Sequence, residues 1–402
     1  MITIKAFEAL RPKEEWVKEV AALPYDVMSV EEAERMIKEH PYSFLNIDKP
    51  EAHVKANGKA PYVYARTKLD EFIGRGIFIQ DDCCMYLYEL ETAESHQYGL
   101  ACLVTAKDYR EGSIKKHENT RTDKEEDRIQ HILHCEAHTG PIFLIEDEWD
   151  GFGDFLRQYT ESHTPLYDFK LEDHVIHRLY AIREQEAIRH LTENFKNINA
   201  LYIADGHHRA AAAVQVSHVL GHTNPEANDF LAVVFPKEQL RILSYHRIIK
   251  DESGYTKDIL FKKLATYFEI NLVDDSIYVP CKAHQFGMRY QKHWYKIDLR
   301  PEFLDDKDII NRLDVTILQD LILNPIFNIQ NPRQDTRIDF IPGSEPIEIL
   351  NERTEVDMDI AFSLFPTSIE SLIAVAQAGD LMPPKSTWFD PKLRSGLLIH
   401  KF

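Results

Sequence analysis

A chain of 402 residues with 44% hydrophobic and 28% charged residues has the length for two or three domain-sized units and the balance of an ordinary soluble globular protein. Its 66 acidic against 47 basic residues leave a formal charge of -19, which repels nucleic acid and anionic membrane over most of the surface. Any anion must therefore be met by a local basic pocket. No apolar run approaches the roughly 18 residues of a membrane span. The start, MITIKAFEALRP, lacks the basic and apolar regions of a signal peptide. Five cysteines, with Cys83 and Cys84 adjacent, suggest neither a disulfide framework nor paired CxxC zinc ligands. A reduced, cytoplasmic protein with no redox cofactor is expected.

In chain order, Ser29-Val30-Glu31-Glu32 predicts a capping box opening a helix through EEAERMIKEH, which stops at Pro41. CCMYLYELE and YGLACLVTAKDY, separated by the polar TAESHQ, predict a β-hairpin. Thr122-Asp123-Lys124-Glu125 predicts a second capping box, then a helix carrying Ile129, Ile132 and Leu133, ended by Thr139-Gly140-Pro141. IFLIED follows as a strand. Ala200 to Ile203 is short and apolar enough to be a buried strand, and the alanines from Ala210 are strong helix formers. The pentad Asp205-Gly206-His207-His208-Arg209 therefore falls on a strand-to-helix turn.

FLAVVF and LRILSYHRII predict two strands, and the polar KDESGYTKD after them places a domain junction near Asp251. This gives an N-terminal α/β domain over 1–250 and a C-terminal α+β domain over 251–402. The second is expected to hold a helix, the strands of QFGMRYQKHWYKIDL, a helix after Asp314, the strand IAFSLF, a helix after Pro366 and a last strand GLLIHKF. The fold class is mixed α/β (α+β) with mixed sheets and a substantial antiparallel component.

Three segments carry candidate chemistry. At a helix start several backbone N–H groups lack partners and the macrodipole is positive, so a phosphate can be held by main chain. Gly206 permits close approach, Asp205 is placed as N-cap, and Arg209 can fork onto phosphate oxygens. His207 or His208, beside a positive helix end, is disposed to stay neutral and accept a proton. The blander reading is a capped, solvated first turn. The second segment, IKKHENTRTDKEEDR, sets Lys116, His117, Arg121 and Lys124 around another helix start, or else forms a charge-balanced surface helix. The third, MPPKSTWFDPKLRSGLL, is held on an ordered loop by three prolines and presents Lys385, Ser386, Lys392 and Arg394. Its Trp388 and Phe389 either stack on a base or anchor the last strand. A metal site is the competing arrangement, because His131, His134 and His138 recur at helical spacing, yet neither HExxH nor CxxC is present.

RPKEEWVKEVAALPYDVMSVEEA, PYSFLNI, YGLACLVTAKDYREGSIKKHENTRTDKEEDR, YIADGHHRAAAA, VVFPKEQLRILSYHRII and MPPKSTWFDPKLRSGL resemble the successive motifs of the DUF1015 family, from about Arg11 to Gly396. Leu23 departs from the pattern, where a second proline before Pro24 is expected. DGHHR opening a helix is similar to the Gly-and-Arg turn of the ParB/sulfiredoxin superfamily, matched by Asp205, Gly206, His208 and Arg209. That superfamily holds nucleotide phosphates on this turn and includes free serine kinases. The resemblance implies phosphoryl transfer on a small hydroxylated metabolite, of the serine or phosphoserine kind, with ATP or ADP and Mg²⁺ as partners. In this reading Gly206 and Arg209 hold phosphate and His207 or His208 transfers a proton beside Asp205. Lys116, His117, Arg121 and Lys124 complete one side of the pocket, and Lys385, Ser386, Lys392 and Arg394 the other. Asp26 or Glu118 acts as base or holds Mg²⁺. A non-catalytic phospholigand-binding regulator and a metal-dependent hydrolase are the alternatives, and a DNA-binding role is opposed by the net charge.

Overall fold

The computed structural model describes residues 1–55, 58–273 and 277–402. The chain divides into two units, the first made of 1–116, 120–240 and 391–402, the second of 117–119 and 241–390. The stretch KDESGYTKD runs inside the second unit, from a loop at Lys250 into a helix that starts at Lys257. The last dozen residues return to the first unit. Among the described residues no helix is long and apolar enough to cross a membrane.

The first unit is built on a nine-stranded mixed sheet. Its strands are β1 (Ile4–Lys5), β2 (Met85–Glu91), β3 (His96–Thr105), β4 (Ile114–Lys115), β5 (Ile142–Glu146), β6 (Tyr167–Lys170), β7 (Ile176–Ile182), β8 (Leu201–Asp205) and β9 (Asp229–Pro236). They lie in the order β4-β8-β5-β9-β3-β2-β7-β6, with β1 on β3. The expected hairpin is β2–β3, paired from Tyr86 with Ala101 to Glu91 with His96. Most pairs are antiparallel, while β8 runs parallel to β4 and β9 parallel to β5. β3 and β9, covered on both faces, read as continuous apolar runs, as central strands do.

Around this sheet lie α1 (Val30–Glu39), α2 (Ala60–Gly74), α3 (Thr122–Cys135), α4 (Phe152–Ser162), α5 (Gln185–Phe195) and α6 (His207–Leu220). The capping box of α1 forms as read, with Ser29 Oγ accepting from the Glu32 N–H and Glu32 accepting from the Ser29 N–H. The box expected at Thr122 does not form. Arg121 is the N-cap, and Glu125 is engaged by the Thr120 hydroxyl instead. α3 also ends earlier than Thr139, at Cys135, where Glu136 takes a left-handed conformation at φ 50°. Ala137–His138 is then free to pair with His400–Lys401, the two residues of the expected last strand that form one. The four alanines of α6 are buried and keep its flank thin, so Ala212 and Val216 pack directly on Ile132 of α3.

The second unit is a six-stranded antiparallel sheet of β10 (Tyr245–Ile249), β11 (Phe268–Val273), β12 (Gln285–Tyr290), β13 (His293–Leu299), β14 (Ile338–Pro342) and β15 (Ile360–Leu364), in the order β11-β13-β12-β15-β10-β14. Its helices include α7 (Lys257–Leu264), α8 (Asp314–Leu318), α9 (Ile349–Val356) and α10 (Ile369–Ala378). Ile248, Trp294, Ile341, Leu350 and Ala361 pack one core cluster between sheet and helix.

Candidate functional site

β8 is buried between β4 and β5 and delivers the chain to α6 through a register shift between Ile203 and Asp205. Gly206 makes the turn at φ 91°, a left-handed conformation that disfavours any side chain. A Cβ there would also lie 3.1 Å from the Arg209 guanidinium, which folds back over the turn and donates from Nη1 to the Pro141 carbonyl. The close approach at Gly206 thus admits the protein's own arginine.

Gly206, not Asp205, is the N-cap of α6, and no side chain caps the helix. Asp205 is the last residue of the strand, next to the register shift. Oδ1 accepts the Gly206 N–H at 2.8 Å and Oδ2 accepts Lys392 Nζ at 2.9 Å. Burial raises the Asp205 pKa, but Lys392 and Arg209 outweigh it and hold the carboxyl well below the usual range. Burial likewise opposes the Arg209 charge, and Asp26, Asp205, Tyr25 and Asp48 more than restore it.

α3 starts beside α6. The Arg121 backbone N–H donates to His208 Nε2 at 3.0 Å. That bond requires an unprotonated Nε2 and so a neutral ring with its proton on Nδ1, which turns the remaining ring nitrogen of His208 into a donor. Since the helices also touch at Ile132, Ala212 and Val216, they set two positive termini side by side. His207 is buried in the first turn of α6, while Arg121 directs its guanidinium to Asp123 and Lys124 is exposed in the first turn of α3. Lys116 is exposed just after β4.

From the C-terminal segment, Lys392 reaches the turn, and Arg394 pairs with Asp173 while its N–H approaches the Tyr88 hydroxyl at 3.4 Å. Asp26 is exposed at the tip of a turn closed by the Val27 N–H on the Pro24 carbonyl, within electrostatic reach of Arg209.

The other four candidates belong to the second unit. His117 is buried with Nε2 3.5 Å from the Thr387 hydroxyl, and Glu118 pairs with Arg333 at 3.3 Å. Lys385, at φ 58°, holds Nζ 5.4 Å over the Tyr245 ring, and Ser386 donates to the Pro383 carbonyl. Trp388 and Phe389 pair with Ile242–Leu243, with Trp388 half-buried and Phe389 buried, while the last strand His400–Lys401 pairs elsewhere.

Sequence reasoning missed Asp48 beneath the turn. Asp48 is 3% exposed and accepts from Arg128, from Thr139 Oγ1 at 3.0 Å and from Ser395 Oγ at 3.1 Å. Arg128, also 3% exposed, stacks 3.9 Å above the Tyr25 ring. A cavity of about 20 Å³, lined by Asp48, Arg128, His131, His138, Thr139 and Arg209, has room for one water. Arg209 Nε is buried there without an acceptor among the described residues. The one signal in the sequence was Asp48 itself, an acid ending the apolar FLNI.

The three imidazoles of the metal alternative go separate ways. His131 Nε2 meets the Ile47 carbonyl, His134 Nδ1 the Gln130 carbonyl, and His138 stacks on His400. Burial, then Arg128, takes His131 down to about 4. Among the described residues the group close enough to share an ion is Glu89, Glu91 and His96, and Arg178 fills it with ion pairs of 2.6 and 2.7 Å.

The family model described as "Protein of unknown function (DUF1015)" matches residues 4–316. No curated protein matches at a significant level. Among solved structures, a conserved hypothetical protein from Pyrococcus furiosus is 12% identical over 75% of this chain and 95% of its own, with TM-score 0.38. SbnI from Staphylococcus aureus, truncated at its C-terminus, is 12% identical over 75% of this chain and 87% of its own, with TM-score 0.38. A free serine kinase in complex with AMP is 11% identical over 74% of this chain and 91% of its own, with TM-score 0.36.

Proposed function

The chain belongs to the DUF1015 family, and we propose that its first unit binds nucleotide phosphates at the Gly206–Arg209 turn and transfers a phosphoryl group to or from a small hydroxylated metabolite of the serine or phosphoserine kind. The observation that carries this reading is a convergence in one unit. Two helix termini joined by His208 and Arg121 lie with Arg209, Lys392, Asp205 and Asp26 about one turn. Phosphoryl transfer needs little covalent chemistry from the protein and depends on positioning and on neutralising the moving group.

In the kinase direction Arg209, Lys392 and the first-turn N–H groups of α6 hold the phosphate oxygens. The metabolite hydroxyl attacks the terminal phosphorus and gives its proton to Asp26, while the bond from phosphorus to the bridging oxygen breaks and ADP leaves. His208 Nδ1–H and the buried His207 are donors to phosphate oxygen. A hard cation takes one or two carboxylates with phosphate oxygens, and where Asp26 is not the base its exposed carboxylate is the group that would hold Mg²⁺. When bound, that ion would neutralise phosphate charge. Lys116 and Lys124 extend the basic rim.

Calorimetric titration with ATP, ADP and AMP, with and without Mg²⁺, then with serine or phosphoserine added, tests the reading. Charge-assisted hydrogen bonds are worth about 1.5–3 kcal/mol, so Arg209→Ala is expected to weaken nucleotide affinity by roughly ten- to hundredfold. Unchanged affinity in a folded variant removes Arg209 from the site. Binding without turnover of either pair would leave a phospholigand sensor in place of an enzyme.

A further inference from the structure

Asp26 needs a fixed position to serve as a base, yet it is the one exposed residue of a short turn whose Pro24 and Tyr25 are buried. Such a turn is held by what lies under it. Lys49 is 6% exposed, directly after the one-turn helix Leu45–Asp48. Its Nζ donates to the Tyr25 carbonyl at 2.6 Å and the Met28 carbonyl at 2.8 Å. The two acceptors bracket Asp26 in the chain, so a single ammonium closes the turn from below. Its nearest carboxylate partner, Glu51, stands at 3.9 Å, which leaves the carbonyls as its principal partners.

The turn has a second clamp. The Tyr25 ring is buried beneath the Arg128 guanidinium at 3.9 Å, and Arg128 is itself fixed by the Asp48 carbonyl at 3.1 Å and by Asp127. Tyr25 therefore points inward while Asp26 points out. Burying an ammonium costs free energy that an exposed surface turn would not need to meet. A neutral residue could fill the same space, so the charge calls for a purpose.

We propose that Lys49 is a positioning residue for Asp26, fixing the Pro24–Met28 turn through the Tyr25 and Met28 carbonyls so that the Asp26 carboxylate is presented to the substrate hydroxyl beside Arg209. This rests on the reading in which Asp26 takes the hydroxyl proton. Lys49 touches neither nucleotide nor metabolite. Its influence on turnover runs through the backbone it holds.

The test compares Lys49→Met, Lys49→Arg and Asp26→Asn in the full chain. Amide hydrogen exchange over residues 24–29 is expected to quicken at least tenfold in Lys49→Met while β2 and β3 keep their protection. Lys49→Arg, which retains charge and donors, is expected to fall between the two. Exchange over 24–29 that stays unchanged in folded Lys49→Met overturns the proposal without touching the reading of function. With ATP, Mg²⁺ and serine, kcat of Lys49→Met is expected to fall about ten- to hundredfold with KM for ATP within about threefold, and Lys49→Arg to recover part of it. A kcat unmoved in Lys49→Met, where Asp26→Asn is inactive, also overturns it. A wild type that binds ATP but turns over neither pair sinks the proposed function instead, and the exchange result then decides the positioning on its own.

Discussion

Replacing Asp48 by alanine is expected to cost the first unit about 4 kcal/mol. The carboxylate and the Arg128 guanidinium are both buried, and removing one partner of such a pair costs about 3–5 kcal/mol, because a buried charge is left behind. Asp127 remains 2.8 Å from Arg128 and retains part of the compensation, which moves the estimate toward about 3. Thr139 and Ser395 also lose their acceptor, at about 1–3 kcal/mol for each hydroxyl left unsatisfied, but the three bonds share one network and do not add. Urea denaturation, read by amide exchange along β8, reports on this unit. The double variant Asp48→Ala/Arg128→Met should be less destabilised than the sum of its single changes, since the buried Asp48–Arg128 pair is then removed whole and only the part-exposed Asp127 loses a partner. A loss below about 1 kcal/mol in Asp48→Ala would refute the assignment of Asp48 as the organising acceptor.

Gly206→Ala forces a side chain to φ 91° and to within 3.1 Å of the Arg209 guanidinium, so it should cost roughly 1–2 kcal/mol of stability and also displace Arg209 from the turn. Calorimetry with ATP should then show weakened binding, and a variant of full stability and affinity would contradict the geometry. Stability should fall as pH drops from about 6.5 toward 4. His131 is held neutral to about 4, His177 to about 3, and His138 and His400 below the ordinary value, all chiefly by burial. The unfolded state therefore binds more protons over this window and is favoured as pH falls, while the folded rings stay neutral. Asp205, depressed beneath its usual range, stays charged throughout it. Denaturation midpoints independent of pH between 6.5 and 4 would exclude this account.

The hairpin β2–β3, the box at Ser29 and the strand-turn-helix at 201–214 were legible because their causes are local. Side-chain hydrogen bonds three residues apart and periodic burial leave a mark in the sequence. The start of α3 was misread because its decisive bond is not local. His208 takes the Arg121 N–H from 87 residues away. Asp205 looked like a cap for the same reason, since the Lys392 partner that holds it lies 187 residues further on. Asp48 and Lys49 were passed over because burial of a charged side chain leaves no periodic trace.

The return of residues 391–402 to the first unit has a consequence for biosynthesis. Ser395 meets Asp48 across 347 residues of chain, and Lys392 meets Asp205 only after the whole second unit has been made. On the ribosome, the sheet that carries the turn is complete at Pro236 while its Asp48 and Asp205 carboxylates still lack these partners. In a nascent chain those two carboxylates wait for the last dozen residues, which supply these partners.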